Sequence, residues 1–529
     1  MAGFTLDRRH ALALALGGGA ALALPGIALA QAIDDDAWID AIVAGMMRRF
    51  ETPGVAVAVV RPGRPAFTRG YGVRAMGRPG AVDAHTRFGI ASNSKSFTAA
   101  CVAMLVDAGK LRWDDRLVTH LPEFAMADPA VTAMMTVRDL FVHSSGLPLG
   151  AGDLMFFPPS THTAPDVLKA LPHLKLETGF RQTYAYDNVL YIVAGLLIER
   201  VAGMPWRQFV QSRILTPLAM RDAVPSRGLL RTDNVAGRHA RLGPPVRGMG
   251  EMATVAPDEP EMVDAAGGIN ASVADIVHWF EVQLGGGLTA DGQRLWSATQ
   301  AAEMWTPMTL ISTSEGPTPN DPGRAVTRSY ALGWGVQDYR GERLIAHSGG
   351  LSGQVTQTAM LPRRKIGVAV FSNVEDGVSA MIRNAILDRL MNAPAFDWAN
   401  YYAVRAAKNE AEALAAVGQG GNRAPAGGPS LPLAAYAGRY RDPWYGDIVV
   451  SARGGALSID FTPTPLFKSR LTPWGADAFR TNFPVGSGED AVVSFATAGG
   501  KVTGVTMKAL SPLADFSYDF HHLAFRPVP

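Results

Sequence analysis

From Phe88 to Phe97 the chain reads Phe-Gly-Ile-Ala-Ser-Asn-Ser-Lys-Ser-Phe. Ser92 and Lys95 stand three residues apart, and if residues 92 onward begin a helix, both side chains share one face. That helix is predicted. Phe97, Cys101, Met104, Leu105 and Ala108 fall at i, i+4, i+7, i+8 and i+11, an apolar stripe of helical period, and Gly109 follows as its stop. A free serine hydroxyl is a poor nucleophile, and a lysine near enough to take or relay its proton is one way to activate it. By itself the pair reads equally as an N-capping serine with a solvated lysine, so the surrounding chain has to choose.

Before this stretch, residues 54–60 (Gly-Val-Ala-Val-Ala-Val-Val), a turn at 61–65 and residues 66–72 predict a β-hairpin. After it, residues 111–265 read mostly as helices and loops. Thr136-Val-Arg-Asp139 is a capping box leading a short helix that ends before His143-Ser-Ser-Gly-Leu147. Residues 148–183 show no period and predict a long loop, a helix is predicted from Asn188 to Gly203, and 225–263 is irregular again. Ser272-Val-Ala-Asp275 is a second capping box, with Ile276, Trp279, Phe280 and Leu284 facing a core. Strands return at 330–337, 343–346, 354–361 and 366–371. Strands at both ends with helices between them predict an α+β domain whose terminal strands share one antiparallel sheet.

A Gly- and Pro-rich linker, 417–430, marks the next boundary. Beyond it, Gly454-Gly455 and Gly499-Gly500 each separate two β-like runs, so residues 433–529 predict a small antiparallel β domain, sandwich or barrel. The organisation is thus an export segment at 1–30, a main domain at 31–400, a helix and linker at 401–432, and the β domain at 433–529.

With 47% hydrophobic and 18% charged residues, 529 residues suffice for two or three domains with ample cores. The net charge is +2, and without Asp7, Arg8 and Arg9 about +1, with no Lys/Arg run, so neither nucleic acid nor an anionic membrane surface is favoured. Asp7-Arg8-Arg9-His10, the apolar run to Leu29 and Ala28-Leu29-Ala30 predict a twin-arginine-like signal with cleavage, hence a periplasmic or secreted protein without stable membrane insertion. Cys101, the one cysteine, excludes an internal disulfide and a thiolate zinc site and reads as a core thiol. His521-His522, in the predicted terminal strand, lacks a third ligand at metal spacing. There is no H-E-x-x-H, no P-loop, no dinucleotide fingerprint and no G-x-S-x-G elbow. No cofactor and no metal is called for.

Three further segments bear on Ser92. Tyr186-Asp187-Asn188 opens the helix at 188, His347-Ser348-Gly349-Gly350 follows the apolar strand 344–346, and Gly267-Gly268 precedes a capping box. In order these are S-x-x-K, Y-x-N and H-x-G, and together they resemble the serine hydrolases of the penicillin-recognising class, nearest the class C β-lactamases, related esterases and S12 peptidases. Residues 142–147, 196–199, 217–220, 330–334 and 371–373 also look like family landmarks, so the resemblance spans roughly 40–395. Residues 433–529, with Tyr436-Ala-Gly-Arg-Tyr440, are similar to a lipocalin-like domain attached to some S12 peptidases.

The resemblance implies a β-lactamase/transpeptidase-like domain with a helical subdomain, and an acyl-enzyme formed on Ser92. The base is either Lys95 or Tyr186, the latter as a phenolate favoured by Lys95. Asn188, His347 and Gly349 are implied to bind substrate, and the backbone N–H groups of Ser92 and Gly350 to form the oxyanion hole. His347 departs from the family, where lysine is usual. A histidine titrating near neutrality is a poorer carboxylate clamp, which favours the peptidase and esterase branch over β-lactam hydrolysis. His143 reads as a loop brace. The function expected is cleavage of peptide or amide bonds, including unusual linear or D-amino-acid-containing peptides. The alternatives are an esterase or class C-like β-lactamase, and a non-hydrolysing cell-wall or β-lactam sensor. The C-terminal domain either caps the site and filters substrate size or mediates assembly into a homo-oligomer.

Overall fold

The computed structural model describes residues 36–243, 247–416, 427–484, 486 and 488–529. The expected export segment, 1–30, and residues 417–426 of the linker lie outside the described residues. The hairpin forms as expected, with β1 (Gly54–Val60) antiparallel to β2 (Phe67–Gly72). β1 is buried from Gly54 to Val59 because its alternate residues serve two cores. Ala56 and Ala58 join the core around the helix Ser94–Asp107, whereas Val55, Val57 and Val59 pack on the helices Ala37–Phe50 and Val378–Leu390. Two short pairs follow, β3 (Phe88–Gly89) with β6 (Asn270–Ala271), and β4 (His239–Arg241) with β5 (Met252–Thr254).

The remaining strands of the main sheet are β7 (Thr309–Thr313), β8 (Thr327–Tyr330), β9 (Gly335–Tyr339), β10 (Glu342–Leu351), β11 (Gln354–Leu361) and β12 (Ile366–Ser372). The order is β2-β1-β12-β11-β10-β9-β8-β7, antiparallel throughout, so the first and last strands of the domain meet as expected, Val55 opposite Ser372. The fold class is therefore the α+β one anticipated.

Several local expectations need correction. Residues 330–337 are not one strand. The chain turns at Ala331–Trp334, where Ala331 N–H donates to the Trp334 carbonyl at 2.7 Å. Gly333 permits the turn at φ +74, and a Cβ there would lie 2.7 Å from the Lys95 carbonyl oxygen, so the turn packs directly on the helix Ser94–Asp107. Residues 148–183 hold a helix, Ala164–Ala170, closed by a Thr163/Asp166 capping box. It is too short for a periodic signal. The helix Ser94–Asp107 is buried on nearly every side, and Ala108 of the proposed stripe is exposed. Among the described residues no single helix is long and apolar enough to cross a membrane.

The C-terminal residues close an eight-stranded antiparallel barrel from β13 (Gly438–Asp442), β14 (Gly446–Arg453), β15 (Ala456–Phe461), β16 (Lys468–Gly475), β17 (Ala478–Arg480), β18 (Ala491–Ala498), β19 (Lys501–Ala509) and β20 (Ala524–Pro527). Both Gly-Gly pairs make hairpin turns, with φ of +58 and +74 at 454–455 and +57 and +76 at 499–500. His521 and His522 lie in a 3-10 turn, Phe520–His522, rather than in the last strand. The loop between β19 and β20 reaches into the main domain. Gly152 and Leu154 donate their N–H groups to Asp519 at 2.8 and 3.0 Å, and the apolar cores of barrel and main domain are continuous.

Candidate active site

Ser92 lies in a 3-10 turn, Ala91–Asn93, and the α-helix begins two residues later than expected, at Ser94. Ala91, just before the nucleophile candidate, has φ +48, a conformation that persists only where the surroundings enforce it. They do. The Asn93 side chain donates to the Ile90 carbonyl at 3.1 Å and to Thr356 Oγ1 at 2.9 Å, and accepts from Thr358 at 2.6 Å. Ser94 Oγ accepts from Ile269 N–H at 3.1 Å. The turn is thus fastened to β11 and to the entry of β6.

β10 passes close behind it. A Cβ on Gly349 would stand 2.2 Å from the Ile90 carbonyl oxygen and 2.6 Å from Thr356 Oγ1. Gly349 is therefore a packing residue under the turn and does not line the cleft, which corrects its expected substrate-binding role. Gly349→Ala is expected to destabilise the fold by ~2 kcal/mol or more, read from a urea melt. Gly350 does line the cleft beside Ser92.

Lys95 is fully buried. Its Nζ lies 3.2 Å from Ser92 Oγ and donates to Asn188 Oδ1 at 2.8 Å and to the Ala266 carbonyl at 2.9 Å. Burial pushes the ammonium down to about 7, outweighing the carboxyl groups of Asp153 and Asp187, which favour the charged form. Tyr186 donates its hydroxyl to Ser92 Oγ at 2.8 Å. Burial raises this phenol well above its ordinary range, so the expected phenolate is corrected: Tyr186 keeps its proton at neutral pH. The His143 ring packs on Tyr186 at 4.2 Å, and its Nδ1 accepts from Asp187 N–H at 3.2 Å. His143 is indeed a brace, and its ring also walls in the tyrosine.

Asn188 stands at the N-cap position of the helix Val189–Ala202, where its side chain makes no capping bond and instead faces two ways. Its Oδ1 accepts from Lys95, and one Nδ2–H donates to Asp153 Oδ2 at 3.0 Å, leaving the second N–H for a ligand.

His347 lies within β10, which runs on to Leu351 rather than ending at 346. Its Nδ1 is 2.6 Å from the Ser348 carbonyl, which can only accept, so Nδ1 carries the hydrogen, and Nε2 pairs with the Tyr330 hydroxyl at 2.7 Å. Burial, with Lys95 nearby, pushes the imidazole down to about 3. The expectation of a group titrating near neutrality is therefore overturned: His347 is a neutral hydrogen-bonding residue. His347→Gln is expected to shift the acid limb of the kcat/KM profile by less than about 0.3 unit; a full-unit shift would contradict this state.

These groups open on a cavity of about 660 Å³ lined by Ser92, Tyr186, Asn188 and Gly350. Phe156 and Phe157 from the 148–183 segment, Asp258 and Glu259 from the 225–263 segment, and Asp515 to Tyr518 from the barrel complete its wall. Sequence reasoning missed Asp153, Phe516 and Ser517. None sits in a motif, and Ser517 meets Asp153 across more than half the chain. Among the described residues no group of three or more His, Cys, Asp or Glu is placed to hold a metal ion.

Residues 39–393 match the beta-lactamase family model, and residues 422–527 match a domain of unknown function (DUF3471). An unguisins hydrolase of Aspergillus violaceofuscus is 30% identical over 451 residues, 78% of this chain and 76% of that protein. The protein flp of Staphylococcus aureus is 24% identical over 342 residues, 64% of each. An octameric penicillin-binding protein homologue from Pyrococcus abyssi superposes with a TM-score of 0.57 at 19% identity, covering 90% of this chain and 98% of that one. A D-amino acid amidase from Ochrobactrum anthropi superposes with a TM-score of 0.55 at 21% identity, covering 68% and 99%. Both share the fold.

Proposed function

This chain belongs to the beta-lactamase family, and we propose that it is a serine hydrolase cleaving peptide or amide bonds through an acyl-enzyme on Ser92. The observation that carries the reading is the surroundings of Lys95. Two of its positions are taken by obligate acceptors, Asn188 Oδ1 and the Ala266 carbonyl, and the third points at Ser92 Oγ. In the neutral amine that third position is the lone pair, aimed at the hydroxyl it would deprotonate.

The Ser92 proton passes to Lys95 Nζ as Oγ bonds to the substrate carbonyl carbon. The developing oxyanion is held by the N–H groups of Ser92 and Gly350. As the carbon–nitrogen bond breaks, Tyr186 gives its proton to the leaving nitrogen and is reprotonated from the Lys95 ammonium. Water then enters along the same route, giving a proton to the lysine, and the serine leaves with its hydroxyl restored. Tyr186 is the relay and not the base, because its phenol holds its proton at neutral pH.

The neutral His347 supports peptide, amide or ester substrates over β-lactams, since position 347 itself holds no permanent cation for a carboxylate; Arg247, Arg328 and Arg383 line other parts of the cavity. The name of the 30% identical relative supports hydrolysis. The paired arginines and apolar run of residues 7–30 support export to the periplasm. The reading is tested by assaying peptides of L- and D-residues beside nitrocefin and p-nitrophenyl acetate, each against Ser92→Ala. Peptide or amide turnover lost in the variant is the expected result. Nitrocefin turnover with peptide rates no higher than the variant's would establish the β-lactamase alternative instead.

A further inference from the structure

We propose that Asp153 and Ser517 are positioning residues that hold the Asn188 amide in the one orientation useful to Lys95, which makes the barrel loop 511–519 a working part of the catalytic site. The inference rests on the acyl-enzyme reading above.

An asparagine amide can present either its oxygen or its nitrogen to a neighbour, and the local network decides which. Lys95 Nζ, 2.8 Å away, offers hydrogens and needs the oxygen. A flipped amide would set Nδ2–H against N–H, remove an acceptor from the lysine and turn an oxygen toward Asp153. The orientation is enforced from the far side, where Asp153 Oδ2 accepts the Asn188 Nδ2–H at 3.0 Å.

The same Oδ2 accepts the Ser517 hydroxyl at 2.9 Å, while the buried Oδ1 has no partner. An ionised carboxylate with one oxygen bare would be costly here, and burial beside Asp519 raises the Asp153 carboxyl well above its ordinary range. Oδ2 accepts both hydrogen bonds whether or not the carboxyl is ionised, and Oδ1 meets no partner. This acceptor orders Asn188, and its raised carboxyl carries less negative charge beside Lys95 than an ordinary carboxylate would.

The barrel holds Asp153 on both sides. Ser517 bonds its carboxyl, and Asp519, two residues on, accepts the backbone N–H groups that flank it, Gly152 at 2.8 Å and Leu154 at 3.0 Å. Gly150 fits beneath Phe516 only because it lacks a Cβ, which would lie 2.7 Å from the ring. The ionisable groups facing this pair can be named. Asp153 is faced by Lys95 and Asp519. Lys95 is faced by Asp153 and Asp187, and by the neutral Tyr186, Tyr191, His143 and His347. His522 contacts Asp519 from behind, at 3.1 Å.

The test uses the full chain and reads, against pH, the rate at which a fluorophosphonate probe labels Ser92. Asp153→Leu is expected to label roughly tenfold slower, with its acid limb moved to lower pH because the ammonium has lost an acceptor. Asp153→Asn, which keeps an acceptor, is expected to stay within about twofold at an unshifted midpoint. Ser517→Ala, on an exposed-side loop where folding is not at stake, should fall between, about threefold slower. In an Asn188→Ala background, Asp153→Leu should add nothing further. Unchanged rates and midpoints in both Asp153→Leu and Ser517→Ala would overturn the proposal, as would additivity of Asp153→Leu with Asn188→Ala, or slow labelling at an unshifted midpoint. If Asp153→Leu does not fold, an unchanged Ser517→Ala is enough to overturn it. No labelling of the unsubstituted protein would overturn the acyl-enzyme reading, and this inference with it.

Discussion

Ser92→Ala is expected to lower peptide or amide turnover by ~10⁴-fold or more while the protein still folds. The side chain lost is small, and the Ala91–Asn93 turn is held by Asn93 and Ser94, not by Ser92. What disappears is the one oxygen on which Tyr186 and Lys95 converge, at 2.8 and 3.2 Å. Both partners would remain beside an apolar methyl with nothing to activate. Progress curves for any substrate turned over by the unsubstituted protein, paired with thermal melts, check this. A variant that keeps more than about 1% of the activity would mean that another group attacks the carbonyl.

Lys95→Met is expected to cost ~10³-fold in kcat/KM, within the range for removing a general base, and to erase the acid limb of the pH profile. With the ammonium pushed down to about 7, the neutral base is scarce below that pH and predominant above it, so activity in the unsubstituted protein rises through neutrality. The same shift bears on stability with a definite sign. Between the folded value of about 7 and the ordinary lysine value, the unfolded chain binds the proton that the folded protein releases. Stability therefore increases with pH across that window and is reduced at and below its lower end. Replacing Lys95 with an apolar side chain removes this cost. Lys95→Met should thus be inactive yet melt higher than the parent at pH 7, with the difference shrinking toward pH 10. An equally active variant, or a melting difference that does not change between pH 7 and pH 10, would show that burial does not lower the amine as described.

How far the site can be read from sequence depends on how local its causes are. Ser92 and Lys95 are three residues apart on one turn, so their spacing sets them side by side, whereas Tyr186 and Asn188, flanking one residue at a helix start, are tied to them in the sequence only by the resemblance. The Gly-Gly hairpins of the barrel and the alternating valines of β1 are equally local, and both structures formed as predicted. Protonation states are not local. Nothing in His-Ser-Gly-Gly says that the imidazole will be buried between Tyr330 and the Ser348 carbonyl, and nothing in Tyr-Asp-Asn says that the phenol will be shut in by His143. The turn at Ala331–Trp334 was hidden in a run of strand-forming residues, and only contact of Gly333 with the Lys95 backbone explains it. Least legible was the link from Ser517 to Asn188. It is made of residues with no motif, joined by the docking of one domain on another.

The central claim is that Ser92 is the nucleophile and that the buried Lys95 amine activates it. Mass spectrometry of the fluorophosphonate-treated protein, digested and followed as a function of pH, tests this most directly. The account predicts a single adduct, on Ser92, forming at a rate that rises through about pH 7 and absent from Ser92→Ala. An adduct on another residue, or a protein that turns over peptides while Ser92 stays unmodified, would contradict it.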